Sequence, residues 1–173
     1  MDRRKFLHAT TAAAVAGTAA GCTAAHNSFR SLSLAEGETL QALCGWIIPE
    51  DTAPGARQAG VVHYIDRQLA RQFREHRETY RSGLAAADRL AGGNYSGAPP
   101  ERQLAILRQM EQAANTRRFV DLVVTHAMQG FYGDPRHGGN RDFASWRMLG
   151  IPPVPFRGRN PYDFTKGGRR GEG

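Results

Sequence analysis

The sequence predicts an all-α protein: a single compact bundle of about five helices plus a short C-terminal helix, with an ordered Gly/Pro/Arg-rich loop and an extended basic tail. Three observations carry this. Apolar residues recur at helical spacing from Leu40 to Phe131. Alternating apolar–polar runs are missing, and β-branched residues are scattered. Gly and Pro gather at a few points that punctuate the periodic stretches.

The N-terminus reads as an address. Arg3-Arg4, followed by Phe6-Leu7 and a small, weakly apolar run from Ala9 to Ala20, forms a twin-arginine signal. That run is too short and alanine-rich to span a bilayer. The expected destination is the periplasm, reached through the twin-arginine translocase in the folded state. Ala19-Ala20-Gly21-Cys22 resembles a lipoprotein cleavage box, with Ala19 where leucine is usual. Cleavage after a small-residue motif is the alternative. A lipid on Cys22 would anchor the chain to a membrane face; otherwise membrane association is indirect. The chain thus divides into a signal segment (1–22), a polar connector (23–32), a helical domain (33–156) and a Gly/Arg-rich tail (157–173).

Ser33-Leu34-Ala35-Glu36 is a capping box that opens the first helix. Leu40, Leu43, Cys44 and Ile47 form one apolar face, and Pro49 ends it before a turn-rich loop, Glu50 to Gly55. Val61, Val62, Ile65, Leu69 and Phe73 suggest a second helix. Tyr80, Leu84, Ala87 and Leu90 mark a third, closed by Gly92-Gly93-Asn94. Pro99-Pro100-Glu101 opens a fourth, with Leu104, Leu107 and Met110 inward. The fifth runs from about Thr116 to Phe131, with Phe119, Leu122, Val123 and His126 on one stripe. A short aromatic helix lies near Trp146. Ile151 to Pro155 is extended because successive prolines forbid helix.

The formal charge of +7 falls to +5 once residues 1–22 leave, since Arg3, Arg4 and Lys5 go with Asp2, leaving 20 basic and 15 acidic residues. Arg117-Arg118, Arg71/Arg74/Arg77 and Arg169-Arg170 are mostly interleaved with acidic residues, which fits solvated helix faces or a docking patch better than nucleic acid. Beyond Cys22 only Cys44 remains, so an internal disulfide is excluded unless Cys22 survives as a thiol; among Leu40, Leu43 and Ile47, Cys44 reads as a small buried hydrophobe.

The search for catalytic chemistry is thin. His8 lies in the signal and His26 in the connector, and a metal site would need His63, His126 and His137 to converge from separate parts of the fold. His126 reads as a hydrogen-bonded core residue. Glu50-Asp51 and Asp134/Asp142 could pair for acid–base work, but loop carboxylates more often cap helices or bind arginines. No nucleophile elbow, phosphate loop, dinucleotide fingerprint or haem-attachment sequence occurs. The expectation is no catalytic, metal or cofactor-binding residue in this chain.

The most specified stretch runs from Thr125 through Gly130-Phe131-Tyr132-Gly133-Asp134-Pro135-Arg136-His137-Gly138-Gly139-Asn140-Arg141-Asp142 to Trp146 and Gly150. Its glycines open backbone angles closed to other residues, and Asp134-Pro135 favours a turn. Such a loop is either a rigid internal knot or a surface that meets something.

That stretch, with Ile47-Ile48-Pro49-Glu50-Asp51, Pro54-Gly55-Ala56-Arg57-Gln58-Ala59-Gly60-Val61, Tyr64-Ile65-Asp66 and the twin-arginine signal, resembles the gluconate 2-dehydrogenase subunit 3 family. The resemblance covers nearly the whole mature chain and is most specific in the Gly130–Asp142 block. It implies a non-catalytic small subunit. FAD would sit on a large partner that oxidises a sugar or polyol, and a cytochrome c subunit carrying haem often takes the electrons onward. The small subunit would bring the export signal and support maturation of the large one. Cys22 and the basic tail do not map onto the family pattern. Aromatic and Arg side chains dominate interface energetics, so Phe131, Tyr132, Asp134, Arg136, His137, Asn140, Arg141 and Trp146 are the expected partner interface. The alternative for Phe131 and Trp146 is pinning the loop to the core. The rival function is a free-standing exported lipoprotein-like binding protein of the cell envelope; an independent hydrolase or metalloenzyme ranks below both.

Overall fold

The computed structural model describes residues 29–152 together with the backbone of 162–163 and 168–169. The signal residues Arg3, Arg4, Phe6 and Leu7, the lipidation candidate Cys22 and most of the tail lie outside the described residues. Six α-helices form the described domain: α1 Leu34–Ile47, α2 Val61–Leu69, α3 Arg77–Ala91, α4 Pro100–Gln112, α5 Ala114–Tyr132 and α6 Ala144–Met148. The protein is all-α, as its periodicity predicts. In the tail, Tyr162–Asp163 (β1) pairs antiparallel with Gly168–Arg169 (β2), a two-residue ladder that the tail's composition does not signal.

α1 begins where its sequence says it should. Ser33 Oγ accepts from the Glu36 amide at 3.2 Å, and Glu36 Oε2 accepts from the Ser33 amide at 2.8 Å. Leu40, Leu43 and Cys44 are buried, and burial pushes the Cys44 thiol up to about 12, so it stays protonated and apolar. α2 is shorter than its apolar pattern suggests. It stops at Leu69, and a 3-10 turn, Arg74–His76, carries the chain into α3. Phe73 therefore packs from a loop, stacking on the His126 ring with centroids 3.9 Å apart.

Tyr80, Leu84 and Ala87 of α3 are buried, but Leu90 faces outward; a residue so near the Gly92 cap has moved past the packed face. In α4 Met110 is buried and Leu107 packs against the core as expected, Leu104 is half-buried, and Ile106 is the buried position that the expected stripe lacked. Pro100 occupies the first turn, where its missing amide costs no hydrogen bond.

α5 is the central strut, packing against α1, α2, α3, α4 and α6. Phe119, Val120, Val123, Ala127 and Phe131 bury along it. Burying apolar side chains of this size contributes roughly 1.5–3 kcal/mol each.

The connector is partly structural. Buried Asp66 accepts from the amides of Arg30, Ser31 and Leu32 at 2.7–3.1 Å, and Leu32 enters the core. The domain therefore starts before residue 33, because four charge-assisted hydrogen bonds from these three amides tie the preceding stretch of chain to α2.

Candidate partner-binding surface

The loop after α5 is built by close backbone approach. A Cβ on Gly139 would collide with the carbonyl oxygen of Gly130, so the loop lies flush on the last turns of α5 only because residue 139 is glycine. Asn140 follows, fully buried and left-handed at φ 43°. Its Nδ2 donates to the Gly133 carbonyl at 2.9 Å, and its Oδ1 accepts from the Ser145 amide at 2.9 Å. One side chain thus clips both ends of the loop. Asp142 and Phe143 also hold positive φ, at 54° and 57°, a conformation that costs non-glycine residues on the order of 1–3 kcal/mol each and persists only where surroundings enforce it.

Two further ties fix the loop. Trp146 Nε1 donates to the Tyr132 carbonyl at 2.9 Å, holding α6 against the end of α5. The Arg141 amide donates to the Ala59 carbonyl at 2.9 Å, joining the loop to the turn before α2. Asp134 Oδ1 accepts from the Arg136 amide at 2.9 Å, the turn-capping role expected of a loop carboxylate.

These contacts sort the eight expected interface residues. Phe131 and Asn140 are buried and turned inward, so a partner cannot reach either; they belong to the knot. Their removal from the interface has a simple cause: Phe131 continues the α5 core stripe, and the Asn140 side chain is occupied at both ends. Tyr132, Arg136, His137 and Arg141 are exposed, while Asp134 and Trp146 are half-buried at the rim. The loop is therefore an internal knot with an exposed outer edge.

Sequence reasoning missed an apolar stripe beside it. Val124, Met128 and Tyr132 stand on α5 at four-residue spacing and are 40–42% exposed. Residues at that spacing share one helix face. Met148, Leu149 and Ile151 add further exposed apolar side chains just past Trp146. The signal was present as two interleaved periodicities in one helix, one facing in and one facing out.

Two shallow depressions flank Arg141-Asp142. One of about 430 Å³ is lined by Thr52 to Pro54, Gln58, Ala144, Arg147 and Met148 together with that pair. The other, about 400 Å³, is lined by His63, Arg67, Pro135, Gly138 and Gly139 together with the pair. Burial lowers the His63 pKa, and the Arg141 and Arg67 cations lower it further against the opposing pull of Asp66.

The histidines do not converge as metal ligands. His126 is in the core, its Nδ1 bonded to the Tyr80 hydroxyl at 2.9 Å, while His63 and His137 lie on the loop side. Among the described residues no group of three or more His, Cys, Asp or Glu is placed to hold a metal ion. Among the described residues, too, no helix is long and apolar enough to cross a membrane.

A family model described as gluconate 2-dehydrogenase subunit 3 matches residues 35–153. No curated protein and no solved structure matches the chain. The matched span takes in every element of the knot and both depressions.

Proposed function

The chain belongs to the gluconate 2-dehydrogenase subunit 3 family, and on that premise we propose that it is the non-catalytic small subunit of an FAD-dependent sugar or polyol dehydrogenase. It binds the catalytic large subunit, supports its maturation and carries it through the twin-arginine translocase. FAD resides on that large chain, and a cytochrome c subunit with haem completes the electron path. The complex works in the periplasm, held at the membrane indirectly or through a lipid on Cys22.

The observation that carries this reading is the α5 stripe beside a rigid loop edge. Val124, Met128 and Tyr132 spend apolar area on solvent where a monomer has no use for it. The stripe runs at Tyr132 into the loop, on which Arg136, His137 and Arg141 are exposed. An apolar centre with a polar, Arg-bearing rim is the anatomy of a protein–protein interface. Its rigidity helps: a loop already fixed by Asn140, Gly139 and Trp146 loses little freedom on binding. A signal-less partner exported in the folded state must bind before transport, which demands an interface of standard size or more.

The test is Met128→Glu in the tagged chain co-expressed with its flavoprotein. Glu is as good a helix former as Met, so helical content should hold. Co-purified flavin should fall at least about tenfold. Undiminished co-purification from both Met128→Glu and Tyr132→Glu would remove this surface from the account.

A further inference from the structure

The depression beside α2 has a composition that the knot does not explain. Arg67 and Arg141 both border it, one on α2 and one on the loop, and His63 shares the lining. Neither guanidinium forms a salt bridge among the described residues; the ion pairs there are His76–Glu75, Arg81–Glu78 and Arg136–Asp134. Asp66, the carboxylate next to Arg67 in sequence, is spent on the amides of residues 30–32. Asp142 stands on the rim, exposed, and makes no ion pair with either arginine.

Glycines lie beside both cations. A Cβ on Gly138 would meet the Arg67 side chain at Cδ and Nη1, 2.8 Å away, and Gly138 has φ +106°. A Cβ on Gly60 would stand 3.4 Å from Arg141 Nη2, and Gly60 has φ +68°. Gly138 and Gly139 leave the wall of the depression without side chains where the Arg67 side chain lies against it. A volume of about 400 Å³ admits a side chain.

We propose that this depression is a carboxylate socket: an Asp or Glu side chain of the flavoprotein partner enters it and pairs with Arg67 and Arg141. The proposal rests on the subunit reading above and names the chemistry by which one part of that interface is recognised. Planar guanidiniums match carboxylate geometry in bidentate fashion. A free anion here would sit half in water between an exposed and a half-buried arginine, where such pairs are weak. A carboxylate delivered on a protein surface covers the depression as it binds, and the displaced water strengthens the pair. The occupant is therefore a partner side chain and not a free ion.

The experiment uses the tagged full chain co-expressed with the flavoprotein. Arg67→Gln combined with Arg141→Gln should weaken the complex at least tenfold with unchanged helical content, and wild-type binding should weaken as salt is raised. In a second variant, Arg141→Lys supplies an amine; carbodiimide treatment of that complex should join position 141 to an Asp or Glu of the partner, located by mass spectrometry. Normal binding by the double variant, with no such cross-link, overturns the socket while leaving the subunit reading intact. Inorganic phosphate that raises the melting temperature of the isolated wild-type chain but not of the double variant, with partner binding unchanged, overturns it in favour of a free-anion site. A wild-type chain that retains no flavoprotein overturns both readings together.

Discussion

His126 sits in the core of the bundle between Phe73 and Tyr80, both rings within 6° of parallel to its own. Its hydrogen bond to the Tyr80 hydroxyl is the role that its place on the α5 stripe predicts. Burial lowers its pKa to about 4, with the His76 charge adding to the effect and Glu75 opposing it. The unfolded imidazole titrates near 6.5, so between pH 6.5 and about 4 the unfolded chain binds more protons than the folded one. Stability from neutral His126 is complete above that window and is lost as pH falls through it, by at most about 3 kcal/mol. Urea unfolding at about pH 7.5 and about pH 5 should therefore show a drop for the wild type. His126→Phe should show a shallower drop, keeping the part due to His63, and should be less stable at neutral pH by about 1–2 kcal/mol because the Tyr80 hydroxyl loses its partner. A variant as pH-sensitive as the wild type would contradict this. Other single residues were less legible. Asn140 looks like an interface residue in a list of types, and nothing in its neighbours' identities says that a backbone carbonyl and amide occupy it; Phe131, at i+4 spacing on the α5 core stripe, carries the signal for the core-pinning alternative. Asp66 stands in one of the blocks that carry the family resemblance, but its role has no local mark, since its three amide partners lie more than thirty positions away.

The helices were legible because their signals are local. The Ser33–Glu36 box, Pro100 at the start of α4, and Gly92 after α3 each act within a turn of where they stand. What escaped depends on neighbours distant in sequence. Phe73 has the spacing to extend α2, yet the chain tightens into a 3-10 turn so that the ring can reach His126. Ile106 is buried while Leu104 stays half-buried because the seat of α4 is set mainly by α5 and α3, its principal packing partners. The loop after α5 belongs to this scale too, as its glycines were visible but their purposes differ. Gly139 exists for contact with α5, so Gly139→Ala should lift the loop, lower stability by about 1–3 kcal/mol and expose residues 133–143 to limited proteolysis. Gly45, inside α1 with open space around its absent side chain, is the control: Gly45→Ala should be neutral or stabilising by up to about 1 kcal/mol. Equal tolerance at the two positions would mean that the loop is not held by backbone approach.

At the scale of the molecule, the blocks of sequence that resemble one family come together in space. The Pro54–Val61 turn meets the Gly130–Asp142 loop through the Arg141–Ala59 hydrogen bond and the Gly60–Arg141 contact. Tyr64 of the third block lies beneath Gly130 and reaches Gln129 with its hydroxyl at 3.3 Å. Separate motifs thus build one face, whose interior is a knot and whose edge carries Tyr132, Arg136, His137 and Arg141. That convergence was beyond the sequence, because hydrogen bonds across some eighty residues leave no periodic trace. The central claim is that this face holds a flavoprotein. Its most direct test is to tag the chain, purify it gently from the native cell envelope, and record a visible spectrum with mass spectrometry. The account predicts a yellow preparation with flavin absorbance and a large co-purifying chain. A colourless single chain, from cells grown on several sugars, would contradict it.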